Sequence, residues 1–360
     1  MRTRVLAGTV AAMALGAAPA AAQEATDFPP PTGSGAILQA GERLERLFGD
    51  GCVLTEGPAA GPDGAIYFSD INDAPACTNP AVRSFPRAGL LWRYDLATRR
   101  ATVFRRPSGQ SNGLLFDLRD RLVAAEGANF GGRRLSRTSD LRTGRRTTLT
   151  RRFARRRYNS PNDMTIDARG RIYFTDPRYN GAETLEQPTQ GVYRLDPNGR
   201  VTRVIVDASK PNGVALSPDG DTLYVAVNDQ GVEDYLRLGE AELGRVRNVD
   251  QSVYAYPVAA DGSVGTRRRR LVSYLPQAGP DGMKVDGRGN LYVAVRDATA
   301  PGVYVYSPRG RLLARIPTGD ELPTNVGWGR GAQSDILYVT AGYSLYRIDL
   351  DVRGFEPRRR

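Results

Sequence analysis

Six oxygen-bearing side chains stand at matching places along this chain: Glu56, Asn112, Asn162, Asn212, Asp281 and Asn325. Each opens a short apolar stretch. Carboxylate and carboxamide oxygens at rigid strand entrances suit a hard divalent cation of the calcium type. The fullest example is YNSPNDMTIDARGRIYFTDP, residues 158–177. Pro161 lacks an N–H and has a fixed φ, so it holds a polar corner rather than extending a ladder. Asn162 and Asp163 follow as the chain enters a strand. One such corner alone is better explained by Asn and Asp acting as turn formers through side-chain-to-backbone hydrogen bonds. Its recurrence is what favours a site. The chain has 0 histidines. That removes Ser-His-Asp and Cys-His catalysis and histidine-bound zinc. Any general base must be a carboxylate or a cation-bound water.

The elements that would position these residues form a repeat. The segments GPAAGPDGAIYFSD (57–70), NGLLFDLRDRLVAAE (112–126), PNDMTIDARGRIYFTD (161–176), PNGVALSPDGDTLYVAV (211–227), PDGMKVDGRGNLYVAV (280–295) and TNVGWGRGAQSDILYVTA (324–341) share one pattern. It is an apolar strand, a Gly/Asp turn and a second strand with an aliphatic or aromatic core. A second hairpin follows each, as in GVYRLDPNGRVTRVI. Two hairpins make a four-stranded antiparallel unit, repeating about every 50 residues. The expected fold is all-β, a six-bladed propeller of four-stranded antiparallel blades spanning 36–360. Two packed β-sandwiches would explain the strands but not the sixfold recurrence. In a propeller the starts of all first strands share one face around the axis, which would bring the six side chains into a ring. The loops joining second to third strands share that face. The longest of them is residues 228–252, where Val232 to Leu243 reads as a short helix over the pocket or as a surface insertion. The loop 178–190, with Tyr179, Asn180 and Glu183, is a further contributor. Residues 36–49 would supply the outer strand that closes the ring, with helix the competing reading for Gly41 to Phe48.

The N-terminus, MRTRVLAGTVAAMALGAAPAAAQ, reads as a secretory signal peptide over 1–22: a basic start, an apolar run and a small-residue cleavage site. No later run is long enough to span a membrane. Residues 23–35 read as an extended or disordered lead-in. The expectation is an exported chain, periplasmic or secreted, and monomeric. A net charge of +11 comes almost wholly from arginine. No aromatic-interleaved motif accompanies it, so a solvated outer face is expected rather than a nucleic-acid partner. Cys52 and Cys77 allow one intramolecular pair, which would contribute ~3 kcal/mol in the chain-entropy model. Cys52 precedes the first strand of blade 1, and Cys77 falls in the ring-side loop of that blade. The alternative is two free thiols.

LTEGP around Glu56, NSPNDMTIDARGRIYFTDP, KPNGVALSPDG, PDGMKVDGRGNLYVA and PTNVGWG occur in an order and spacing that resemble the gluconolactonase/regucalcin (senescence marker protein) family. The resemblance implies a six-bladed propeller with one axial divalent cation, usually calcium, with magnesium, manganese or zinc as alternatives. It makes Glu56, Asn212 and Asp281 the principal ligands, with Asn162 completing the shell or contacting substrate. It implies lactone hydrolysis: a polarised ester carbonyl, attack by water, and Asp281 as general base or water-orienting carboxylate. Asn112, Glu126, Asn159, Asp163 and Asn325 are candidates for substrate contact. Diisopropyl fluorophosphatase is similar in architecture and ligand set, so phosphotriester or aryl-ester hydrolysis is an alternative. A calcium-binding propeller without catalysis is another. One departure stands out: relatives often carry Glu-His where this chain has Glu126-Gly127.

Overall fold

The computed structural model describes residues 24–25, 27–71, 88–181, 183–230 and 250–357. Six antiparallel sheets of four or five strands follow one another along the chain, with a two-stranded ribbon, Arg152–Phe153 and Arg156–Arg157, between the second and third. Blade 1 is Leu54–Ala60, Ala65–Ile71, Leu90–Asp95 and Arg100–Arg105. Blade 2 is Ser111–Phe116, Leu122–Glu126, Arg134–Thr138 and Arg146–Thr150. Blade 3 is Met164–Ile166, Ile172–Asp176, Gly191–Leu195 and Val201–Ile205. Blade 4 is Pro211–Leu216, Thr222–Asp229, Asp250–Pro257 and Arg269–Ser273. Blade 5 is Pro280–Val285, Leu291–Val295, Gly302–Tyr306 and Leu312–Pro317. Blade 6 takes Pro323–Trp328, Ile336–Ala341 and Ser344–Asp349 from the end of the chain. Each first strand packs on the first strand of the next blade, and the sixth packs on the first. The fold is a six-bladed β-propeller.

Closure of the ring comes from Glu45–Phe48, which pairs antiparallel with Ser344–Asp349 as the outer strand of blade 6. Helix, the competing reading for Gly41 to Phe48, does not form there. Local propensity is a weak prior, and blade 6 otherwise presents an unpaired edge. Leu47 and Phe48 join a buried cluster with Phe68, Trp92, Tyr338 and Leu345, which ties blade 6 to blade 1. Upstream, Thr32–Gly33 pairs with the outer strand of blade 5, and Glu24–Ala25 pairs with Glu45–Phe48. The core as a whole lies between blades: Tyr173 and Val192 of blade 3 pack with Val214, Leu223 and Val225 of blade 4.

The hairpin turns explain why the inner strands start and stop where they do. In blade 3, Asp167 Oδ1 accepts the N–H groups of Arg169 and Arg171, and Gly170 takes φ +80°. Blade 2 builds the same turn around Asp117, with Asp120 in the left-handed position at φ 57°. Asp tolerates that conformation better than most side chains.

Residues 355–357 border the far end of the axial channel. Phe355 N–H donates to Val285 O at 3.1 Å, and Arg330 pairs with Glu356 at 2.6 Å. Phe355, Glu356 and Pro357 border a cavity of about 150 Å³ together with the inner-strand residues Leu115, Ile166, Leu216 and Trp328. Lys284 borders the same cavity.

The signal peptide 1–22, Cys77 and the segment Val232 to Leu243 lie outside the described residues. Cys52 is fully buried; the pairing expected of it lies outside the described residues with Cys77. Among the described residues, no helix is long and apolar enough to cross a membrane.

Candidate active site

The ring residues occupy the same end of their first strands, and the backbone there is irregular for a reason. In blades 1, 2, 4, 5 and 6 the first-strand register shifts at or beside Glu56, Asn112, Asn212, Asp281 and Asn325. A bulge re-aims a side chain that a regular pleat would send elsewhere. In blades 1, 2, 4 and 5 the next residue is glycine. A Cβ on Gly213 would run into the backbone carbonyl of Asp281, and one on Gly282 into the Asn325 side chain. Glycine at these places lets one blade's ring residue lie against its neighbour. In blade 3 that place belongs to Asp163.

All six ring side chains are buried. Asn325 Nδ2 donates to Glu56 Oε2 at 3.1 Å, and the Gly57 N–H donates to the same oxygen at 2.9 Å. Asn212 Nδ2 donates to the Tyr179 hydroxyl at 3.1 Å. Asp281 Oδ2 lies 3.4 Å from Arg296 Nη1. The Oδ1 atoms of Asn112, Asn162 and Asn212 are buried and have no hydrogen-bond partner. Three orphaned carboxamide oxygens are costly unless something accepts their lone pairs. A hard cation does so, and Glu56 and Asp281 would supply its counter-charge. The residues therefore fit a calcium-type ion. Among the described residues no three His, Cys, Asp or Glu side chains form a metal-holding group. The donor set here mixes carboxylates with carboxamides.

Electrostatics point the same way. Burial, then the nearby charges of Asp281 and Asp163, pushes the Glu56 carboxyl well above the usual carboxylate range, against the Asn325 and Gly57 hydrogen bonds. Burial pushes Asp281 up to about 6, opposed by Arg296 and Asn212. Burial raises Asp163 too, opposed by Lys284, whose Nζ lies 3.5 Å away. Without a cation, the ring holds carboxylates that resist ionising.

Comparison with known proteins places these features. Residues 87–343 match the SMP-30/Gluconolactonase/LRE-like region. The chain belongs to this family. It is similar to a gluconolactonase of Zymomonas mobilis, with 30% identity over 69% of this chain, and it spans 65% of that relative's length. A pentonolactonase of Haloferax volcanii is 27% identical over 82% of this chain and 84% of its own. Among solved structures, a gluconolactonase from Xanthomonas campestris superposes with a TM-score of 0.73 at 28% identity, covering 92% of this chain and 98% of that one.

Within this family member the remaining expected site residues fall outside the ring's first layer. Glu126 is fully buried, and its carboxylate meets Arg134 Nε at 2.7 Å and Arg146 Nη1 at 3.2 Å, from the outer strands of its own blade. Asn159 accepts the Gln187 N–H at Oδ1, and its carbonyl accepts from Arg178. It anchors the loop 178–190, from which Tyr179 reaches Asn212. Asp163 accepts the Met164 N–H at 2.8 Å and the Val214 N–H at 3.4 Å. It thereby joins blades 3 and 4 beside the ring.

Four contributors escaped the sequence reading. Lys284 had one signal, a charge inside the apolar strand PDGMKV, in a chain whose only other lysine is Lys210. Arg296 had none, one arginine among many. Asp176 clips the blade 3 corner by accepting the Asn159 and Ser160 N–H groups at 2.9 and 2.7 Å. Asp70 does the same for Cys52 and Val53 in blade 1. The repeated end of the second strand, FSD and FTD, was the clue to both.

Proposed function

We propose that this chain is a divalent-cation-dependent lactone hydrolase, using calcium and acting on sugar lactones in the periplasm or outside the cell. The observation that carries the reading is the set of three buried, unpartnered carboxamide oxygens beside Glu56 and Asp281. The lactonase names of the relatives support the reaction class. The N-terminal sequence supports export.

Glu56, Asn162, Asn212 and Asp281 would hold the cation, with Asn112 offering a further oxygen. When bound, the cation supplies Lewis-acid polarisation of an ester carbonyl. The protein's own residues do the rest. Asp281 accepts a proton from the attacking water at a carboxylate oxygen and returns it to the ring oxygen as the ester bond breaks. The products are an alcohol and a carboxylic acid, which then loses its proton to solvent and becomes the carboxylate. Arg296 keeps Asp281 oriented. Glu56, fixed by Asn325 and the Gly57 N–H, contributes charge without moving a proton. The carboxamides set geometry without neutralising the site.

The test is proton release from D-glucono-δ-lactone by chelator-stripped protein, with and without added calcium. Asp281→Asn should lower kcat by ~10²–10⁴-fold, the range for a lost general base. Glu56→Gln should lose calcium binding and turnover together. Full turnover by stripped protein, or by Asp281→Asn, would refute the reading.

A further inference from the structure

The second strand of every blade ends at the ring end, and what it ends on differs between blades. Blade 1 carries Asp70 next to its last strand residue, Ile71, blade 3 ends with Asp176, and blade 2 with Glu126. Blade 4 ends on Asn228 and Asp229, and blade 6 on Ala341. Blade 5 ends on Val295, and the residue just past it is a cation, Arg296. Val295 pairs with Pro280, the residue before Asp281, so Arg296 stands directly at the ring.

Arg296 is only half used by the protein. Nη1 lies 3.4 Å from Asp281 Oδ2 and donates to Pro323 O at 3.5 Å. These contacts engage one nitrogen, and the side chain keeps 21% of its surface exposed. By contrast Arg178, also at the ring end, spends its guanidinium on the carbonyls of Asn159, Gly181 and Glu183. A guanidinium anchored through one nitrogen keeps its remaining N–H groups in the fork that fits a carboxylate or phosphate. The charge balance agrees. A divalent cation in the ring would offset Glu56 and Asp281, and Lys284 offsets Asp163. Counted over Glu56, Asp281, Asp163, Lys284 and Arg296 with that cation, one positive charge is left, and Arg296 is the group that carries it.

We infer that Arg296 selects lactones that carry a second, anionic group, a carboxylate or a phosphate, over neutral sugar lactones. This deepens the hydrolase reading above and rests on it. Arg296 is a specificity residue as well as the positioning residue for Asp281, and the two roles separate experimentally. Losing the positioning role slows every lactone alike. Losing the specificity role acts on the anionic ones, mainly through KM.

The experiment compares matched pairs on calcium-loaded protein: D-glucaro-1,4-lactone against D-glucono-1,4-lactone, and 6-phospho-D-glucono-δ-lactone against D-glucono-δ-lactone. The first pair tests carboxylate and the second phosphate. In the wild type, kcat/KM should favour the anionic member of at least one pair by about tenfold or more. Arg296→Gln should cut that preference by about tenfold, and Arg296→Lys should restore part of it. In parallel, calorimetry measures binding of D-glucarate and D-gluconate to stripped and calcium-loaded protein, with tighter glucarate binding expected and lost in Arg296→Gln. Equal or better turnover of the neutral members, or an unchanged preference in Arg296→Gln, overturns the inference while the hydrolase reading stands. No turnover of any lactone, with Arg296-dependent glucarate binding retained, overturns the hydrolase reading and keeps the anionic ligand class. Neither turnover nor glucarate preference overturns both.

Discussion

Asp281 and Glu56 are held in a chemically uncomfortable state. Asp281 sits at about 6 in the cation-free protein, against ~4 for an ordinary aspartate in an unfolded chain. The folded state therefore keeps a proton that the unfolded chain releases between those values. The stability linked to this group is full below the unfolded value and is lost as pH rises through about 6. Glu56 is displaced in the same direction. A cation that supplies counter-charge removes the penalty. Calcium should therefore raise the unfolding temperature of stripped protein more near pH 7.5 than near pH 5. Equal shifts at the two pH values would show that no titrating carboxylate takes part in binding.

Strands, turns and bulges turn these side chains into a set. Gly213 stands where any Cβ would meet the Asp281 backbone, which cannot step aside as a flexible side chain would. Gly213→Ala should cost ~1–3 kcal/mol in urea unfolding, the usual range for overpacking, and should weaken calcium binding in calorimetry. Unchanged affinity would mean that the contact between these strands does not shape the ring. Much at this scale could be read in the sequence. The six repeats, their turn residues and the oxygen-bearing strand entrances are local patterns, and they led to the propeller that the structure shows. What could not be read is non-local. Whether Glu45–Phe48 forms strand or helix is decided by an edge some 300 residues away, which pairs Arg347 with Glu45. Glu126 and Asn162 look equally polar in sequence. Only the structure shows that arginines from the outer strands engage the first, while the second keeps a bare carboxamide oxygen.

For the whole molecule, the N-terminal strand is the latch of the ring. Phe48 packs tilted against Phe68 and Trp92, with centroids 5.3 and 5.0 Å away. Phe48→Ala should destabilise by ~3–5 kcal/mol, with blade 6 losing hydrogen-exchange protection first. Protection lost evenly across all blades would mean that closure is not the weak seam. At the far end, Phe355 and Glu356 border the channel, and Lys284, which borders it too, reaches from blade 5 to Asp163 of blade 3. A corridor narrowed at one end sends its traffic through the other. Whatever forms at the ring must back out through the doorway that the next substrate needs. Product and substrate then contend for one threshold, so the ring-opened acid should inhibit competitively, raising KM while leaving kcat unchanged. Inhibition that lowered kcat alone would reveal a back exit.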